Sequence, residues 1–174
     1  MAISSIVLLL LFTGLLDLAR VFYYSVDLHA AAREGARHGA WFDQVSAQNP
    51  YLDDQAIFDA ANLTLKGAGL NNATMGSGCP GNPPYNAPYP SGAYGSPGQV
   101  IVYICYDALG QACGAYSCRS GNIPPAIGDT SWAGKDLDVI VLYNYPFLTG
   151  FLSSFLGPGV QVAANEHMFI QGHS

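Results

Sequence analysis

Residues 29–40 read HAAAREGARHGA, and how they fold decides the architecture of the chain. They follow the apolar run ISSIVLLLLFTGLLDLARVFYY of residues 3–24 with no proline or turn between. On a helix turning about 100° per residue, Leu28, Ala32, Gly35 and Gly39 fall within a sector of roughly 60°, and Asp27, Arg33, Glu34 and Arg37 lie on another side within about 120°. The pattern predicts one continuous helix of about 40 residues, on the order of 60 Å long. Its second half has a small-residue face and a charged face. A glycine inside a helix costs about 1 kcal/mol relative to alanine. Close approach of another backbone at Gly35 and Gly39 offsets that cost, as in small-xxx-small packing. Such a face packs against copies of the same helix or against the chain's own globular part. Glu34 can also reach Arg37 and His38 along its own helix.

The first half is membrane-grade. Ile3 to Leu16 is nearly all apolar but spans only about 21 Å as a helix. A bilayer core of about 30 Å needs roughly 20 residues, and the continuation through Leu18, Val21, Phe22, Tyr23, Tyr24 and Val26 supplies them. Asp17 and Arg20 interrupt it at neighbouring helical positions. A charge at mid-bilayer depth costs on the order of 3 kcal/mol, which leaves two compatible readings. Both residues sit at the membrane edge with the tyrosines as an interfacial belt, or they pair with each other or with a neighbouring subunit once the helix leaves lipid. The chain opens MAISS, with no basic residue before Arg20, and the helical pattern runs past any plausible cut. Both features argue against a cleaved signal peptide.

Beyond the helix, 174 residues leave room for one small domain. Only 10% of the chain is charged and its net charge is −6, so no basic face is available for nucleic acid. The cysteines, Cys79, Cys105, Cys113 and Cys118, fit two disulfides in an exported protein, with three pairings open. The preferred pairing is Cys79 with Cys105 and Cys113 with Cys118, because a short local loop closes easily. Zinc is the weaker reading, since no C-x-x-C pair occurs and the histidines lie far off in sequence. Asn62 and Asn72 head formal glycosylation sequons, of consequence only in a host that glycosylates exported proteins.

The segment NPYLDDQAIFDAANLTLKGAG predicts a helix over about 50–66. Asn49 is the cap, Pro50 the first helical position, Gly67 the stop, and Leu52, Phe58, Ala61 and Leu65 form the buried side. Residues 75–98 are dominated by Gly, Pro, Tyr, Asn and Ser and predict a surface loop without regular structure, tied down by Cys79. It is read as a passive loop, with an adhesive or inter-subunit surface as the functional alternative. Strands are expected at 99–107, 136–145 and, more loosely, 160–169. A short apolar helical turn separates the last two. The expected fold is α+β: a long N-terminal helix (1–43), then a disulfide-containing head (44–174) with a second helix and an antiparallel sheet of about three to four strands.

Chemistry is not expected. No metal-binding motif, P-loop, nucleophile elbow or dinucleotide fingerprint occurs, so the reading is of a non-enzyme without cofactor or metal. Asp53 and Asp54 are explained by a helix start. Asp136 and Asp138 are explained by a strand entering the sheet with its polar face out, and His167 is expected at the surface or a sheet edge.

GLLDLARVFYYSVDLHAAAREGARHGA resembles the N-terminal segment of TadE-like pilins of tight-adherence (Tad/Flp) systems. The resemblance is carried by a leucine-rich run, the D-x-x-R step at Asp17 and Arg20, and A-A-R-E-G-A-R from Ala31 to Arg37. DVIVLYNYPFLTGFLSSFLGPGVQVAANEHMFI is similar to the C-terminal part of the same family. Counted back from Gly14, the early glutamate of such pilins falls just before Met1. The resemblance implies a structural subunit held in the cytoplasmic membrane and polymerised through its N-terminal helix, with the pilus assembly machinery, into an extracellular filament. On that reading Asp17 and Arg20 supply polar pairing, Leu28, Ala32, Gly35 and Gly39 close packing, and Arg33, Glu34 and Arg37 register or docking of the head. The alternatives are a minor pseudopilin that caps or primes a filament of another subunit, and a membrane-tethered adhesion domain that never polymerises.

Overall fold

A computed structural model describes residues 2–41, 50, 53–81, 85–106, 136–147, 153, 157 and 159–170. The chain opens with helix α1, Ala2–Ala40, unbroken over 39 residues and so about 58 Å long. Helix α2 is Asp54–Gly67. The strands are β1 (Ala73–Met75), β2 (Val100–Tyr106), β3 (Asp136–Pro146) and β4 (Gly159–Phe169), in spatial order β1-β2-β3-β4. β2, β3 and β4 pair antiparallel, as expected. β1 pairs parallel to β2, with Ala73 opposite Val100, which makes the sheet mixed. Parallel neighbours need a crossover of a dozen residues or more, and the Gly/Pro/Tyr-rich segment after Met75 supplies it.

Helix α2 begins later than the sequence suggested. Asp53 is its cap: the carboxylate accepts from the Ala56 N–H at 3.0 Å. Pro50 lies ahead of the helix, its carbonyl accepting from Asp53 N at 2.9 Å. A carboxylate is as good a cap as an asparagine and also complements the helix dipole, so the aspartate takes the role assigned to Asn49. The buried side is Asp54, Ile57, Phe58, Ala61 and Leu65; Leu52 lies outside the described residues. At the other end Gly69 adopts φ +84. Its N–H reaches Lys66 O at 3.0 Å and Leu70 N reaches Leu65 O at 2.9 Å. That is a Schellman closure, so Gly69 stops the helix two residues beyond the glycine expected to do so.

Strand alternation sorts the sheet into two covered faces. Val100, Val102, Ile104, Leu137, Val139 and Val141 join Leu28, Ala31, Ala32, Ala36, Ile57, Ala61 and Leu65 in the core beneath the helices. On the opposite face Tyr103, Cys105, Ile140 and Leu142 pack against Tyr85 and Tyr89. The loop at 75–98 is therefore not simply a surface loop. It begins on the last residue of β1, Met75, and carries a short 3-10 turn at Ser91–Ala93, and Tyr85 and Tyr89 are only 1% and 7% exposed. The Tyr89 hydroxyl donates to Tyr85 O at 2.6 Å, and the Tyr103 hydroxyl donates to Ala93 O at 2.7 Å. Cys79 is disulfide-bonded to Cys105 of β2, the preferred pairing. Cys113 and Cys118 lie outside the described residues, as does most of the expected helical turn between β3 and β4, of which Phe147, Ser153 and Gly157 are described.

Candidate functional site

The feature that singles this chain out is α1. The side chains it turns toward the head recur every three or four residues: Asp17, Val21, Tyr24, Leu28, Ala31 or Ala32, Gly35, and Gly39 or Ala40. This is the stripe expected of a helix laid along a core. Residue size falls along it from tyrosine and leucine to alanine and glycine, so the helix comes closest to the head at its C-terminal end. A Cβ added at Gly35 would stand 3.2 Å from Ala61 Cβ, 3.3 Å from Val139 Cγ1 and 3.4 Å from Ile57 O; one at Gly39 would stand 2.3 Å from Leu137 Cδ2. The small-residue face thus meets α2 and β3 of its own chain. Of the two packings the sequence left open, the intramolecular one is occupied.

Gly35→Leu is therefore expected to destabilise the head itself, by about 3 kcal/mol, the upper part of the overpacking range. Gly35→Ala trades a tight contact against about 1 kcal/mol of helix propensity and should be nearly neutral. Urea unfolding of the detergent-solubilised chain separates the two. Equal stability of Gly35→Leu and parent would mean the contact at Ala61 is slack.

At the other end of the stripe Asp17 is 2% exposed and accepts a hydrogen bond from the Tyr145 hydroxyl at 3.0 Å. Arg20 is exposed. Burial and then the Asp17 carboxylate push the Tyr145 phenol above its ordinary value, with the Arg20 guanidinium opposing them, so both charges of the D-x-x-R step act on one phenol. Tyr24 packs on Tyr143 and Tyr145 with ring centroids 5.5 and 5.8 Å apart, and Phe147 follows at 6.4 Å from Tyr145. Tyr145 was missed from sequence, since nothing local links it to a helix 128 positions earlier.

The side of α1 turned away from the head is apolar and uncovered. Leu8, Leu11, Phe12, Leu15, Leu18, Phe22 and Val26 are each more than half exposed. α1 is long and apolar enough to cross a membrane, by length and composition.

Residues 1–37 match the family model of TadE-like protein. Over these residues the chain is similar to TadE-like proteins. No curated protein and no solved structure matches the chain.

The charged face of the TadE-like segment is partly satisfied along its own length. Arg37 Nη2 lies 2.6 Å from Glu34 Oε1, and Arg37 Nε lies 3.2 Å from Oε2, in an exposed pair. An exposed pair of this kind is screened by solvent and contributes little to stability. Arg37 also lies over the Trp41 ring, 5.8 Å from its centroid. Arg33 is exposed.

Away from the TadE-like helix, one expectation is overturned. Asp136 and Asp138 do not face outward: each is 3% exposed. β3 is a central strand with both faces covered, so alternation gives it no wet side. Burial, and then the carboxylates of Asp136 and Glu166, push Asp138 up to about 7. Burial and then Asp138 push the Tyr89 phenol up as well. His167 lies on edge strand β4, as expected, with Nε2 3.5 Å from Asp136 Oδ2. Among the described residues, no three His, Cys, Asp or Glu side chains are grouped to hold a metal ion. Of the sequon asparagines, Asn62 sits inside α2 with its Oδ1 buried, and Asn72 donates its amide to Gly98 O.

Proposed function

We propose that the chain is a structural, pilin-like subunit. It resides in the cytoplasmic membrane as a single-pass protein and is then extracted into an extracellular filament of the type IV pilus kind. One observation supports this above all: an unbroken α1 that is head core along one side and uncovered apolar surface along the other. A helix so divided can exchange lipid for sister helices without disturbing its head. Acyl chains are about as apolar as neighbouring helices, so packing and polar contacts must favour the bundle. On this reading Asp17, Leu28, Ala32, Gly35 and Gly39 hold the helix to the head, so that Leu18, Phe22 and Val26 are presented in one orientation. Arg20, Arg33 and the Glu34–Arg37 pair are the polar groups available to a neighbour. The TadE-like match over residues 1–37 supports association with the Tad pilus machinery.

The same match favours a second reading, a minor pseudopilin that caps or primes a filament built from another subunit. Electron microscopy of sheared extracellular filaments, with stoichiometry by mass spectrometry, tests both. A major subunit should account for most of the filament mass, and a minor one for a few copies per filament. Recovery of the chain solely as a detergent-extracted monomer would reduce it to a membrane-tethered domain and overturn the filament proposal.

A further inference from the structure

β3 runs antiparallel to α1 along the shared core, which fixes a level on the helix for each part of the head. Leu137 is at Gly39 and Val139 at Gly35; Tyr143 is at Tyr24 and Tyr145 at Asp17. Phe147, just past Tyr145, therefore marks the end of the head that points toward the apolar residues before Asp17. β3 and β4 end together there, with Pro146 opposite Gly159. Read as sequence, their connection is FLTGFLSSFLGP, without a charged residue.

On the far side of the helix, Leu18, Phe22 and Val26 are 54%, 66% and 70% exposed. Polar character begins at His29 and Arg33. Residues 17–26, about 15 Å of helix, thus carry lipid-grade surface alongside the head rather than ahead of it, apart from the exposed Arg20. Its guanidinium lies beside Tyr145 on the head side, and its long side chain can carry the charge to the headgroups. Amphipathic surface of this kind settles about 5–10 Å into the headgroup and acyl boundary. The one acid at this level, Asp17, is hidden from that boundary beneath Tyr145, as an ionisable group near acyl chains has to be. Tyr23 and Tyr24 stand where an interfacial aromatic belt belongs.

We propose that in the membrane-resident chain the head is seated in the bilayer interface by its β3–β4 end. Phe147 and the Leu18–Phe22–Val26 face contact acyl chains, and Asp17 is sealed from lipid by Tyr145. The occupant of this surface is the lipid itself, because the face is continuous with the apolar helix that precedes it. This rests on the reading above that α1 lies in a membrane, and it adds where the head sits.

The test uses the full chain in vesicles of phosphatidylcholine and phosphatidylglycerol, with Trp132→Phe throughout. Lipids brominated high on the acyl chain quench a nearby indole. Phe147→Trp in a Trp41→Phe background should lose emission, as a depth of about 5–10 Å in the headgroup and acyl boundary requires. Trp41, retained in a separate sample, should keep its emission. Val26→Trp, at an exposed site, provides the same reading should the substitution at Phe147 disturb folding. Leu11→Trp reports whether the helix is in the bilayer at all. Quenching at position 11 without quenching at 147 and 26 would overturn the seat and leave membrane residence standing. No quenching at any of these positions would overturn both.

Discussion

Replacing Cys79 and Cys105 together by alanine is expected to cost the head about 3.5 kcal/mol, the chain-entropy value for a 26-residue separation. The loop closed by this bond carries little regular structure of its own, yet it has to lie flat across the second face of the sheet. Tyr85 and Tyr89 supply apolar area, and each fully buried large side chain contributes about 1.5–3 kcal/mol. That gain is reached only after a Gly- and Pro-rich segment has been ordered, at about 1–2 kcal/mol per residue of backbone entropy. The bond from Cys79 to Cys105, which is fully buried on β2, removes part of that cost from the unfolded side of the balance. Urea unfolding of the double variant and the parent checks the magnitude. A loss under about 0.5 kcal/mol would mean that the tyrosine contacts hold the loop unaided, since surface substitutions stay within about that range.

How far this architecture could be read from sequence depended on whether the signal was local. α1 was legible because an uninterrupted apolar run passes into a small-residue stripe at helical spacing. β2, β3 and β4 were legible because runs such as VIVYICY and DLDVIVLYNYP are rich in β-branched and aromatic residues. β1 was not: Ala-Thr-Met carries no strand signal, and its pairing comes from the parallel edge that β2 offers. Composition marks the tyrosines of the 75–98 loop as exposed, because it says nothing of what lies beneath a loop. Gly35 and Gly39 were recognised as points of close approach, but a helical wheel cannot say whose backbone approaches. The contact between Asp17 and Tyr145, at the base of the candidate assembly helix, is set by the path of β3 past the helix, so the sequence held the acid without its partner. The same limit explains Asp136 and Asp138, which alternation alone turns toward solvent.

Those two aspartates lead to the expectation of largest size. Asp138 is 3% exposed, and among the described residues its Oδ1 is buried without a hydrogen-bond partner. Its register partners are Cys105 on β2 and His167 on β4. In the fold its carboxyl keeps a proton up to about pH 7, whereas an unfolded aspartate releases it near 4. Between those values the folded chain holds more protons than the unfolded one, so stability falls as pH rises. The contribution of this group is complete below about pH 4, declines through the interval, and is gone above about 7, a span of up to about 4 kcal/mol. Asp138→Asn cannot titrate and keeps the shape of the side chain. It should flatten that decline, matching the parent near pH 4.5 and exceeding it near pH 8 by on the order of 2 kcal/mol or more. Unfolding of both proteins across that range is the measurement, with the difference between them as the readout. A difference that does not change with pH would mean that Asp138 is ionised within the fold. Some group outside this strand end would then have to be compensating a charge that burial alone disfavours.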